Sequence, residues 1–130
     1  MPKVLMFANK PSDGELYKEL FLASGFEVRK FHSYERPYVV DLVVMEQPDI
    51  LMCDVALGKT EKIDGFQAIR LLKADTRTQR IPIVIVTDMC DVQSREAGMK
   101  TGAEKFLCSD EHTPREIVEI FKNILKTPQF

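Results

Sequence analysis

Asp54 closes the run Asp49-Ile50-Leu51-Met52-Cys53, whose last four side chains are apolar. A buried strand that stops on a carboxylate holds that carboxylate at its C-terminal edge. In an open parallel α/β sheet, ligands and chemistry gather at that edge. A second apolar run, Ile83-Val84-Ile85-Val86, ends on a hydroxyl, Thr87, 33 residues after Asp54. An acid and a hydroxyl at two strand ends can face each other across one pocket. His32 and His112 match no metal pattern and read as surface residues. The segment Asn9-Lys10-Pro11-Ser12-Asp13-Gly14 is too poor in glycine to cradle a phosphate.

The elements that position these groups follow from the alternation of short apolar runs with helical periods. Lys3 to Ala8 reads as a strand. Ser12 or Asp13 can cap a helix with Leu16, Leu20 and Phe21 inward, ended by Gly25. Glu27 to Phe31 is a short strand, and Tyr38 to Glu46 a short helix stopped at Gln47-Pro48. Ile50 to Cys53 is the third strand. Asp64-Gly65 opens a helix with Phe66, Ile69 and Leu72 buried, and Ala74 to Arg80 is a polar connector. Pro82 leads the fourth strand, Ser94 to Thr101 forms a weaker helix, and Lys105 to Cys108 is the fifth strand. Thr113, Pro114 and Glu116 give a strong start to a last helix carrying Ile117, Ile120, Phe121, Ile124 and Leu125. Strands alternating with helices predict a parallel sheet covered on both faces. The whole chain, 1–130, reads as a single domain with a frayed tail at 127–130.

Composition removes several function classes. Hydrophobic residues make up 45% and charged residues 29%, with a net charge of −2, so nothing favours nucleic acid or a membrane surface. No apolar run is long enough to span a bilayer, and the start is no signal peptide, which together predict a cytoplasmic protein. The three cysteines, Cys53, Cys90 and Cys108, have no CxxC spacing. They predict half-buried hydrophobes rather than zinc ligands or a disulfide framework. Each nevertheless falls near the end of a predicted strand, within conceivable reach of the others.

With these registers in place the chain resembles the receiver domain of bacterial two-component response regulators over essentially its whole length. Asp54 matches the phosphoacceptor, Thr87 the switch hydroxyl and Phe106 the aromatic switch, within Gly102-Ala103-Glu104-Lys105-Phe106-Leu107. The resemblance implies a doubly wound, flavodoxin-like sheet of five parallel strands, order 2-1-3-4-5, with five helices on both faces. It implies a carboxylate nucleophile taking a phosphoryl group from a phosphohistidine, with Mg²⁺ and a lysine on the phosphoryl oxygens.

Several family positions are altered. The acidic metal pair falls on Ala8 and Asn9, the lysine on Ser109, and the proline after it on Asp110. Asp88 stands where a small residue follows the switch hydroxyl. Asp64-Gly65 arrives ten residues after Asp54, about three later than usual, and the longer loop carries Gly58, Lys59, Glu61 and Lys62. A unit charge pair at ~4 Å contributes roughly 4 kcal/mol at an effective dielectric of ~20. Loss of two acids therefore weakens Mg²⁺ by powers of ten at the upper bound. The weak ligands left are Asn9, Asp54 and the backbone carbonyl of Ala56. Lys10 or Lys59 could instead pair with Asp54 in the metal's place.

The expected function is an atypical, pseudo-receiver module signalling by protein contact, with weak or no phosphorylation of Asp54. Its activity would be at most self-phosphorylation, and any Mg²⁺ would bind weakly. The expected partners are a histidine kinase or phosphotransfer protein and a downstream effector, with no nucleic acid or membrane. By family analogy the output surface spans roughly Arg95 to Lys126. The alternative is a conventional Mg²⁺-dependent receiver phosphorylated on Asp54. Further readings are a flavodoxin-like small-molecule binder and a redox sensor using Cys53 and Cys108.

Overall fold

The computed structural model describes residues 1–8, 14–35, 38–57 and 62–126. Five strands run through the chain: β1 (Lys3–Phe7), β2 (Glu27–Phe31), β3 (Ile50–Cys53), β4 (Ile83–Thr87) and β5 (Lys105–Cys108). The helices between and after them are α1 (Glu15–Ala23), α2 (Val39–Glu46), α3 (Gly65–Ala74), α4 (Val92–Lys100) and α5 (Pro114–Lys126). The sheet order is β2-β1-β3-β4-β5, with every pairing parallel. This is the expected doubly wound sheet.

The central strands are apolar at nearly every position because both faces are covered. Alternation sends Leu5, Phe7, Leu51, Cys53, Ile83 and Ile85 to one core, with α2 and α3. Val4, Met6, Ile50, Met52, Val84 and Val86 point to the other, with α1 and α5. There Phe21 stacks edge-on against Phe26 and Phe121, at centroid distances of 5.0 and 5.1 Å.

Helix starts follow local chemistry. Asp64 and Gln67 form a reciprocal capping box at α3. Thr113 and Glu116 do the same at α5, where the sequence predicts it. Three expectations need correction. The N-cap of α1 is Gly14, at φ 81°, with no side-chain cap bond; Ser12 and Asp13 lie outside the described residues. Leu16 is exposed, because the inward stripe of α1 is Tyr17, Leu20 and Phe21 at the i, i+3, i+4 spacing. Helix α4 begins at Val92 rather than Ser94, since Asp91 is its cap and accepts hydrogen bonds from the amide and hydroxyl of Ser94. The predicted tail, 127–130, lies outside the described residues.

Candidate functional site

The C-terminal ends of β1, β3, β4 and β5 surround a cleft of about 240 Å³. Its lining includes Ala8, Gly14, Tyr17, Asp54, Thr87, Asp88 and Ser109. One cavity thus brings together the acid, the hydroxyl and three altered family positions, Ala8, Asp88 and Ser109. Asn9, Lys10 and Lys59, expected as a weak metal ligand and as cations near Asp54, lie outside the described residues.

Asp54 sits one residue past β3, partly buried. Its Oδ1 accepts from the amide of Ala56 at 2.9 Å, an Asx-type turn that fixes the carboxylate over its own loop. Its amide donates to the carbonyl of Phe7 at 3.2 Å, which joins β3 to β1 at the cleft floor. Its carbonyl accepts from the amide of Leu57 at 3.3 Å and from the hydroxyl of Tyr34 at 2.9 Å.

Tyr34 is a residue that sequence reasoning missed. It is fully buried, stacks on Phe7 at 4.8 Å, and reaches the loop that carries the acid. Its hydroxyl donates to the Asp54 carbonyl, and burial pushes the Tyr34 pKa well up. Cys53 is also fully buried, and burial pushes its thiol up to about 12. Tyr34→Phe removes one buried hydrogen bond while the Asp54 carbonyl keeps its bond from Leu57. The expected cost is about 1–2 kcal/mol, read as a lower urea midpoint at unchanged slope. A midpoint equal to wild type would show that this bond holds nothing.

On the facing side, Thr87 is buried, and its hydroxyl oxygen accepts from the amide of Met89 at 3.2 Å. Its carbonyl accepts from the amide of Ser109 at 2.9 Å, which ties the ends of β4 and β5 together. Phe106 is partly buried, with the Arg95 guanidinium 5.9 Å from its ring centroid. A Cβ on Gly98 would lie 2.6 Å from the Phe106 ring, so α4 rests directly on that ring.

The donor set for a metal can be judged from this geometry. Asp54 and Asp88 are the carboxylates in the described lining, and Ala8 contributes a methyl group. Among the described residues, no group of three metal-type side chains includes Asp54. Mg²⁺ prefers charged oxygens, and this set does not fit it well. The group of three that does occur is Cys90, Cys108 and Asp110, but its two sulfurs are bonded to each other.

That disulfide corrects the cysteine reading. Cys90 and Cys108 form a bridge with Cα atoms 5.6 Å apart, and the free cysteine is Cys53. The pair envisaged between Cys53 and Cys108 is therefore not the one formed. The register explains it: Thr87 lies opposite Cys108, and Cys90 follows Thr87 by three residues on the same sheet edge. His32 is exposed, with its Nδ1 3.2 Å from the carbonyl of Ala8, and His112 lies 3.8 Å from Glu116.

Comparison with known proteins agrees with this geometry. The family model described as the response regulator receiver domain matches residues 4–122. The DNA-binding dual master transcriptional regulator RpaA of a Synechocystis species is 29% identical over 107 residues, covering 82% of this chain and 42% of that protein. The chain thus spans less than half the length of that relative. A solved structure of a response regulator from Chloroflexus aurantiacus superimposes with a TM-score of 0.84 at 28% identity, covering 98% of this chain and 100% of that one. The receiver domain of a Pseudomonas aeruginosa sensor histidine kinase, with a magnesium ion coordinated in its active site cleft, gives a TM-score of 0.82 at 18% identity. The coverage there is 97% of this chain and 98% of that one.

Proposed function

The chain belongs to the response regulator receiver domain family of two-component signal transduction, and from that premise we propose that it is an atypical receiver that signals mainly by protein contact. One observation carries this reading. Asp88 lines the cleft together with Asp54, Ala8 stands at an acidic position of the family, and Ser109 stands at its lysine position. A phosphoryl group arriving there meets like charge from Asp88. Ser109 offers a hydroxyl but no positive charge, and Ala8 offers no oxygen. The solved kinase receiver carries magnesium in its cleft; the side chains described here favour much weaker binding.

Asp54 is the phosphoacceptor candidate within this proposal. Phosphorylation would form an oxygen–phosphorus bond to its carboxylate and break the phosphorus–nitrogen bond of the donor, whose nitrogen leaves protonated. Thr87 and Phe106 are the candidate switch residues, coupled through β4, β5 and α4. The output surface is placed on α4, β5 and α5, roughly Arg95 to Lys126. Val92 and Met99 on α4 are exposed apolar side chains that suit a protein partner. The partners would be a histidine kinase or phosphotransfer protein and an effector, in the cytoplasm. Among the described residues no helix is long and apolar enough to cross a membrane.

The test is intact-mass spectrometry after incubation with phosphoramidate, with and without Mg²⁺, beside Asp54→Ala. Trace labelling that Mg²⁺ barely changes is the expected result. A stoichiometric, Mg²⁺-dependent adduct absent from Asp54→Ala would establish the conventional receiver instead.

A further inference from the structure

We propose that the Cys90–Cys108 disulfide is a reversible redox clamp that fastens α4 to the end of β5. Cys90 lies half-buried in the connection from β4 to α4, immediately before the cap residue Asp91, and Cys108 is the buried last residue of β5. Their Cα separation of 5.6 Å lies in the range disulfides use. The bond spans 18 residues of sequence, and the closed loop contains all of α4.

Helix α4 needs such a fastening. Its buried residues are Ser94 and Gly98, neither with an apolar side chain to contribute. Its other attachments are the close seat of Gly98 on the Phe106 ring and the polar contacts of Arg95. The Nε of Arg95 donates to the carbonyl of Cys90 at 3.0 Å, and a terminal nitrogen pairs with Glu111 at 2.6 Å. Elements with few buried apolar contacts open at low free energy, so one covalent tie changes their opening strongly. The tie also reaches the cleft. Cys108 precedes Ser109, whose amide bonds Thr87, and Cys90 Sγ lies 3.7 Å from the Thr87 carbonyl.

The chemistry balances with a hydroperoxide as oxidant. The Cys90 thiolate, at the more accessible sulfur, attacks one peroxide oxygen, forming a sulfenic acid and releasing water or an alcohol. The Cys108 sulfur then displaces the hydroxyl as water, forming the sulfur–sulfur bond. Two thiols lose two electrons and two protons in all, and the peroxide gains them. A dithiol reductant reverses the bond by exchange. Cys53, fully buried at the end of β3, stays out of the exchange. The Asp110 carboxylate lies within 4.8 Å of both sulfurs, and its negative charge disfavours the attacking thiolate. Asp110→Asn is therefore expected to oxidise faster than wild type.

A signalling role for this clamp rests on the proposed output surface; the clamp itself is read without phosphorylation. The whole chain is reduced with dithiothreitol, oxidised with a stoichiometric amount of hydrogen peroxide, alkylated and weighed intact. Hydrogen–deuterium exchange is followed in peptides covering α4. The expected result is loss of two alkylation sites, recovered on reduction, with Cys53 alkylated only after denaturation. Exchange in α4 slows at least about tenfold on oxidation, and the melting temperature rises by roughly 5–10 °C. Cys90→Ser, which keeps the side-chain size, should show neither change with peroxide. The proposal is overturned if the pair stays reduced under peroxide, if Cys53 forms the bond, or if α4 exchanges equally in both states. A clamp that behaves as expected beside an unlabelled Asp54 would leave both proposals standing; stoichiometric labelling would remove only the earlier one.

Discussion

Ala8→Asp combined with Ser109→Lys is expected to raise Mg²⁺-dependent phosphoryl labelling of Asp54 by about 100-fold or more. Both positions line the cleft, and both backbones are already fixed. The amide of Ala8 donates to Phe31 of β2 at 3.0 Å, and that of Ser109 to Thr87 at 2.9 Å. The substitutions therefore change charge more than geometry. A carboxylate ~4 Å from a divalent ion contributes up to roughly 8 kcal/mol at a dielectric of ~20. Desolvation and rearrangement remove most of that, yet about 3 kcal/mol suffices for a hundredfold change. Ala8→Asp also adds a third acid to the cleft of Asp54 and Asp88, so without metal the variant should melt lower than wild type. Mg²⁺ should restore it by mass action, a readout independent of labelling. Labelling within twofold of wild type, with melting indifferent to Mg²⁺, would place the deficit outside these two residues.

The sheet and the cleft are legible in the sequence for the same reason. Residues 50–53 and 83–86 are uninterrupted apolar runs, which a strand needs when helices cover both faces. The polar residue ending each run must then emerge at the sheet edge, which puts Asp54 and Thr87 in one cavity. What escapes is whatever depends on non-local fit. Tyr34 lies in the connection after β2, where no periodicity applies, and its role depends on a carbonyl twenty residues away in sequence. The start of α4 is hard to read because the helix has almost no apolar stripe, so the cap at Asp91 passes for loop. The disulfide has no spacing rule, because the register of β4 against β5 sets the distance. Its available signal is weak: two cysteines just past or at the ends of adjacent strands.

Gly65→Ala should destabilise the protein by about 2 kcal/mol, although the same change in an ordinary helix is favourable. Gly65 is the first residue of α3, and its φ lies outside the left-handed region. Helix propensity alone would therefore reward alanine by roughly 1 kcal/mol. Packing opposes it more strongly. A Cβ there would lie 2.5 Å from the Cα of Val55 and 2.9 Å from the carbonyl oxygen of Asp54. Those atoms are backbone, so no rotamer change relieves the contact, and overpacking of this kind typically costs ~1–3 kcal/mol or more. The start of α3 must withdraw, taking the Asp64–Gln67 capping box with it, or the Asp54–Val55 turn must move and strain the Tyr34 bond. Either response disturbs the carboxylate in the cleft. Introduced into the Ala8→Asp, Ser109→Lys background, Gly65→Ala should therefore lower the urea midpoint and cut phosphoryl labelling together. Gly25→Ala separates the two effects. Gly25 has φ 88° with no atom within 4 Å of its would-be Cβ, so alanine there costs about 1 kcal/mol through backbone conformation alone. It should lower the midpoint and leave labelling unchanged. Equal loss of labelling in both variants would mean that global stability, rather than the Gly65 contact, positions Asp54.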